Sequence, residues 1–133
     1  MEILAAKMMS FEALQQFIDE HGFDVHALYE KGYVVTENEQ IISCFQLEHV
    51  ENKAYWLKQL YMMQDEVMKL PRILAYILHF AEQLEMEIIY AHSHQPVTDL
   101  LFQAFHFSLN QSPTESLRQS KNKGNWWTYK ICS

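Results

Sequence analysis

Pro71-Arg72-Ile73-Leu74-Ala75-Tyr76-Ile77-Leu78-His79-Phe80-Ala81-Glu82-Gln83-Leu84, followed by Glu87-Ile88-Ile89-Tyr90-Ala91, is the stretch on which the fold turns. Proline suits the first helical position, where its missing N–H costs nothing. Ile73, Leu74, Ile77, Leu78, Ala81 and Leu84 recur at helical spacing up to about Met86. The next five residues carry little polarity, as a strand buried on both faces does. Upstream, Ala54 to Met63 holds Tyr55, Leu57, Leu60 and Tyr61 and reads as a strand. Strand, helix and strand in this order require a right-handed parallel crossover.

Working outward, Tyr33-Val34-Val35-Thr36 and Gln40 to His49 read as two more strands. The polar turns Glu37-Asn38-Glu39 and Glu51-Asn52-Lys53 are short enough to imply antiparallel hairpins. Ile3 to Met8 reads as a first strand. Ser10 caps a helix carrying Phe11, Leu14, Phe17 and Ile18, with Gly22 at its end. Asp24 caps a second, with Val25, Leu28 and Tyr29, closed by Gly32. Pro96 starts a helix with Val97, Leu100, Leu101, Ala104 and Phe105 inward. Phe107 to Leu109 begins a strand, Asn110 to Asn125 is a long polar loop, and Trp126 to Cys132 closes the sheet. The expected fold is α/β (α+β): a mixed central sheet in the order β-α-α-β-β-β-α-β-α-β-β, helices on both faces, and one domain over residues 1–133.

The bulk numbers narrow the function classes. The chain has 133 residues, 49% apolar, with a net charge of −7. Such a chain has a real core and is not disordered. Its acidity opposes non-specific nucleic-acid binding and suits an amine-bearing partner. Cys44 and Cys132 lack metal-ligand spacing and read as reduced core thiols. No basic leader and no apolar run of about 18 residues is present, so a cytoplasmic protein off the membrane is expected. Only three glycines occur, none between Tyr33 and Lys123. That excludes a P-loop, a dinucleotide fingerprint and a Gly-x-Ser-x-Gly elbow.

Three short blocks carry a family resemblance. Leu60-Tyr61-Met62, Ile89-Tyr90-Ala91-His92-Ser93-His94-Gln95 and Leu101-Phe102-Gln103-Ala104-Phe105-His106-Phe107 resemble, in order and spacing, motifs of the GNAT superfamily of N-acetyltransferases. The family's patterns are Leu-Tyr-Val, Leu-x-Val-x-x-x-Asn and Leu-Tyr-Glu-Lys-x-Gly-Phe. Gln95 stands seven residues before Phe102, as Asn stands before Tyr in the family. The resemblance covers roughly Tyr33 to Phe107. It implies a fourth and fifth strand that splay to admit acetyl-CoA, with an amine, small-molecule or peptide, as acceptor.

The resemblance also implies roles. Met62 and Met63 would polarise the thioester through their backbone, and Gln95 would replace the family's Asn. The pyrophosphate loop would be Gln64 to Arg72, which lacks the family's glycines. Lys69 and Arg72, with Ile73 in the same helical turn, are then the phosphate-binding candidates, because an arginine side chain can grip phosphate bidentately. Phe102 occupies a cofactor-contacting position where the family often has a tyrosine acid, and phenylalanine has no proton to give. His106 replaces the motif's glycine. The catalytic-base candidates are Glu66 and His92. His92-Ser93-His94 could equally be a solvated pair, and Glu66 a solvated loop carboxylate. Gln59 and Tyr61 sit on the strand that lines the family's acceptor pocket, or simply pack there. Trp126-Trp127 places one indole on each face, one in the core and the other exposed for a homodimer partner. Two other readings stand beside the enzyme: a non-catalytic interaction module that has lost cofactor binding, and a dimer with a shared site.

Overall fold

The computed structural model describes residues 1–18, 23–62, 68–93, 96–110 and 125–131. Its strands are β1 (Glu2–Ala5), β2 (Gly32–Glu37), β3 (Gln40–Glu51), β4 (Ala54–Met62), β5 (Ile88–Ser93), β6 (Ser108–Asn110) and β7 (Asn125–Lys130). Its helices are α1 (Phe11–Phe17), α2 (Val25–Lys31), α3 (Leu70–Gln83) and α4 (Pro96–Ala104). The element order is the one expected. The seven strands hydrogen-bond in the order β1-β2-β3-β4-β5-β7-β6, and the β4–β5 pair is parallel as the crossover requires. The chain gathers into two compact units: Met1–Leu47 with Lys58–Ala81, and Glu48–Leu57 with Glu82–Ser133.

In the first unit β1, β2 and β3 form an antiparallel meander. The β2–β3 turn is two residues, Asn38 and Glu39, both left-handed at φ 53° and 67°. That is the turn geometry whose twist suits a hairpin. The expected strand Ile3 to Met8 is shorter: Ala6–Met8 makes a 3₁₀ turn instead, which buries Ala6 in a cluster with Leu14, Ile18, Leu28, Val34 and Cys44. Ser10 and Asp24 are side-chain caps, accepting from the N–H groups of Ala13 and Ala27. Gly32 ends α2 because of space, not of φ: a Cβ there would lie 2.6 Å from the Leu28 carbonyl oxygen. Gly22 lies outside the described residues. On the other face of β2 and β3, Phe80 of α3 meets Tyr33 and Phe45 edge-on. Cys44 and Phe45 are neighbours on one strand, so helices cover both faces here. Ile73, Leu74, Ile77, Leu78 and Ala81 are all buried, as their spacing predicts.

In the second unit β5 is paired on both sides, with β4 and antiparallel with β7. α4 packs Phe102 against Phe107 and Trp127. Its end is a full Schellman motif. Phe107 N–H donates to the Phe102 carbonyl at 2.9 Å, and His106 N–H to the Gln103 carbonyl at 3.1 Å. The Phe102–Phe107 ring contact at 4.9 Å supplies the apolar clasp of that motif. His106 therefore sits left-handed, at φ 69°.

Trp126 and Trp127 do point to opposite faces, but each is only 8% exposed. Trp126 lies against Trp56 and His92. Trp127 donates its Nε1–H to Asp99 at 2.8 Å. The exposed indole expected for a dimer partner is not found, because both faces of β7 carry neighbours. The strand ends at Lys130, and Cys132 and the segment 111–124 lie outside the described residues.

Candidate functional site

The β4–β5 ladder is short. It runs from Ala54↔Ile88 to Leu57↔Ala91, while β4 continues to Met62 and β5 to Ser93. Past the ladder, His92 and Ser93 remain paired with Trp126 and Asn125 of β7. Past Leu57, β4 changes conformation: Gln59 is left-handed at φ 53° in mid-strand. A non-glycine residue there is strained, and something must hold it.

The Gln59 side chain supplies the hold. Its Nε2 donates to Gln46 Oε1 at 2.8 Å, and its Oε1 accepts from Asp24 N–H at 2.7 Å. Gln46 is 3% exposed, so this amide pairing satisfies a polar group that water cannot reach. Two residues on, Ser43 Oγ donates to the Tyr61 carbonyl at 2.8 Å. The Tyr61 ring meets Phe17 and Phe23 edge-on. Gln59 and Tyr61, read from sequence as acceptor-pocket candidates, thus also fix the C-terminal half of β4. Met62 is its last residue and is half-buried.

At the start of α3 the two cation candidates converge on one carboxylate. Lys69 Nζ lies 2.7 Å from Glu37 Oε1. That hydrogen bond, with the charges of Lys69 and Arg72, holds the Glu37 carboxyl below its ordinary range. Arg72 is exposed. Ile73 is fully buried among core side chains, so its side chain faces no ligand, and its N–H is the first taken up by the helical ladder of α3. Sequence alone gave no sign of Glu37 as the partner of Lys69, since the two are 32 positions apart.

Phe102 is 4% exposed and belongs to the core of α4. His92 is half-buried, its ring edge-on to Trp126 with centroids 4.9 Å apart. Trp56, which no motif singled out, meets the same Trp126 at 5.3 Å. Tyr90, across the ladder from Trp56, is 7% exposed. Burial, and then the charge of Glu51, push its phenol pKa up, which keeps the phenol protonated. Cys44 is fully buried and burial pushes its thiol up to about 12, so it is no nucleophile near neutrality. Met63, Glu66 and Gln95 lie outside the described residues. A cavity of about 640 Å³ lies at the other end of β5, lined by Lys53, Glu82, Glu85, Glu87 and Lys130 among others. None of the sequence-predicted site residues lines it.

Neither a protein-family model nor a curated protein sequence matches the chain. Solved structures do. An N-acetyltransferase of Campylobacter jejuni, in complex with acetyl coenzyme A, superposes with a TM-score of 0.74 at 14% identity, over 98% of this chain and 99% of that one. A GNAT-family acetyltransferase from Staphylococcus aureus gives 0.71 at 12%, over 97% and 98%. The N-acetylglutamate synthase of Neisseria gonorrhoeae, complexed with coenzyme A and N-acetyl-glutamate, gives 0.70 at 14%, over 99% of this chain but 35% of that one. The parallel β4–β5 pair, the element order and these superpositions agree: the chain has the GNAT fold of N-acetyltransferases.

Proposed function

We propose that this protein transfers an acetyl group from acetyl-CoA to an amine. The observation that carries the reading is the β4–β5 ladder that stops at Leu57↔Ala91, in a fold whose solved neighbours hold CoA or acetyl-CoA. Because the Tyr61 carbonyl is engaged from β3, strand alternation turns the N–H and C=O of Met62 to the opposite edge. There they can pair with an extended pantetheine arm and polarise a thioester carbonyl. Lys69 and Arg72 would take the phosphates, the role that glycine-rich backbone plays in the family resemblance, while Ile73 would hold the first turn of α3 in place from the core. Glu37 competes for Lys69.

The step is direct. The neutral amine attacks the thioester carbonyl carbon, a C–N bond forms and the C–S bond breaks. His92 takes the ammonium proton beforehand; after attack the nitrogen gives up a second proton to water, and the leaving thiolate takes one from water, since Phe102 has none to give. Holding amine and thioester together supplies much of the rate. Met63, Gln95 and Glu66 keep their proposed roles as backbone donor, substitute for the family's Asn and alternative base.

A second reading has its own support. Lys69 is already engaged by Glu37, and the loop before α3 has no glycine, which suits a non-catalytic module that has lost CoA. Thermal-shift titration separates the two. A ligand at a hundred times its dissociation constant stabilises by about 2.7 kcal/mol. A concentration-dependent rise in Tm with acetyl-CoA is expected. No shift at millimolar CoA or acetyl-CoA would leave the module.

A further inference from the structure

Among the described residues, Asn38, Glu39, Asn52, Glu85 and His106 have a left-handed backbone in turns or just past a helix, where such a conformation is at home. Gln59 has one inside a strand, two residues beyond the last rung of the β4–β5 ladder. The conformation is strained for glutamine and persists only where its surroundings over-determine it.

Those surroundings come from two elements. At the start of α2, Asp24 N–H donates to Gln59 Oε1 at 2.7 Å. A backbone N–H only donates, so this contact fixes which end of the Gln59 amide is the oxygen. The NH₂ end is then turned to Gln46 of β3, whose Oε1 accepts at 2.8 Å. Asp24 is also the side-chain cap of α2, and its neighbour Phe23 meets the Tyr61 ring edge-on. Both arms of the Gln59 amide are held by groups that are themselves held.

The consequence is direction. The φ of residue 59 sets the path of the residues after it. Two residues on, the Tyr61 carbonyl is taken by Ser43, which has no exposed surface. Two buried β3 side chains, Gln46 and Ser43, therefore grip β4 at residues 59 and 61, and Met62 is the residue that follows. We infer that Gln59 is a positioning residue: its bridge between Gln46 and Asp24 keeps residue 59 left-handed and so aims the backbone of Met62 at the pantetheine arm. The thioester part of that role rests on the acetyl-transfer reading; the aiming of Met62 does not.

Glycine separates aiming from bonding. Gln59→Ala and Gln59→Gly lose the same two hydrogen bonds, but only glycine takes φ 53° without strain. Tyr61–Met62 is the one Tyr–Met pair in the chain, so carbonyl-¹³C tyrosine with ¹⁵N methionine selects the Met62 N–H signal. Gln59→Ala displaces that signal, and Gln59→Gly returns it toward the wild-type position. Calorimetry follows the same order. Gln59→Ala weakens acetyl-CoA about tenfold and Gln59→Gly less than about threefold. Neither changes binding of the phosphoadenosine diphosphate half of CoA, which lacks the pantetheine arm, by more than about twofold. Gln46→Met frees one arm of the amide and weakens acetyl-CoA about threefold; it decides the matter should circular dichroism show Gln59→Ala unfolded. A role in stability alone would lower the Tm of both Gln59 variants and leave the acetyl-CoA affinity of the folded protein unchanged. That result, or an unmoved Met62 signal in Gln59→Ala, overturns the inference. If the wild type binds no acetyl-CoA, acetyl transfer falls, while a Met62 signal that alanine displaces and glycine restores upholds the aiming.

Discussion

A buried thiol decides whether transfer can pass through the enzyme itself. Cys44 is a nucleophile of the type that a two-step mechanism would acylate, and it lies on β3, the strand beside β4. Burial moves its pKa from 9.0 to about 12. At pH 7.5 that lowers the thiolate fraction about a thousandfold. The more basic thiolate is more nucleophilic and recovers about twentyfold, at a Brønsted slope near 0.45. The net loss is about fiftyfold before access is counted, and the side chain has no exposed surface. N-ethylmaleimide should therefore label Cys44 at least about fifty times more slowly in the native protein than in urea. Proteolysis and mass spectrometry separate it from Cys132. Cys44→Ser should leave no less acetyl transfer per folded molecule. Native labelling within about tenfold of the unfolded rate, or an acetyl group recovered on Cys44, would refute the direct mechanism and the burial on which it rests.

Other consequences follow from single residues. His106→Gly should stabilise the protein by about 0.5–1 kcal/mol, the left-handed strain removed less the entropy of glycine, read as a rise of a few degrees in Tm. Glu39→Gly in the β2–β3 turn should act in the same direction, and a fall in Tm would show that its side chain has a job. Gln59→Ala strands the Gln46 amide and should cost about 1–3 kcal/mol in urea unfolding; an unchanged midpoint would mean the amide pairing is dispensable. Glu37→Gln should tighten CoA by about two- to fivefold by releasing Lys69, with calorimetry as the measure. The folded-state pKa of Glu37 is depressed, so its stabilising pairing is complete above the unfolded value, about 4.3, and fades as pH falls through the folded one. Acid titration of Glu37→Gln should therefore show a smaller loss of stability below pH ~4 than the wild type.

Much of the fold was legible because periodicity and caps are local. Ile73 to Ala81 announce one buried helical stripe, Ser10 and Asp24 mark starts that the structure keeps, and Pro71 falls one residue inside α3, which begins at Leu70. The β3–β4 hairpin and the parallel crossover follow from loop length. Less was legible at the ends of elements. Ala5 stops β1 because Ala6 turns into a core that helices from elsewhere in the chain complete. His106 stands where the family motif has glycine, and the Schellman turn gives the reason: it needs a left-handed residue, whatever its side chain.

The site was half visible. Lys69, Arg72, His92 and Phe102 could be picked out by alignment with a motif, but a motif does not say what a side chain touches. Lys69 faces Glu37, Ile73 faces the core, and Trp126 is covered by Trp56, a residue with no signature.

Sequence by itself determined the order of strands and helices, the hairpins and the parallel crossover, since hydrophobic period, capping and turn chemistry act over a few residues. Only the tertiary structure decided where the β4–β5 ladder ends, which carboxylate claims Lys69, and which rings share a sheet face. Those depend on groups brought together from 30 or more positions apart, such as Asp24 with Gln59 and Glu37 with Lys69, and no local pattern encodes such a meeting.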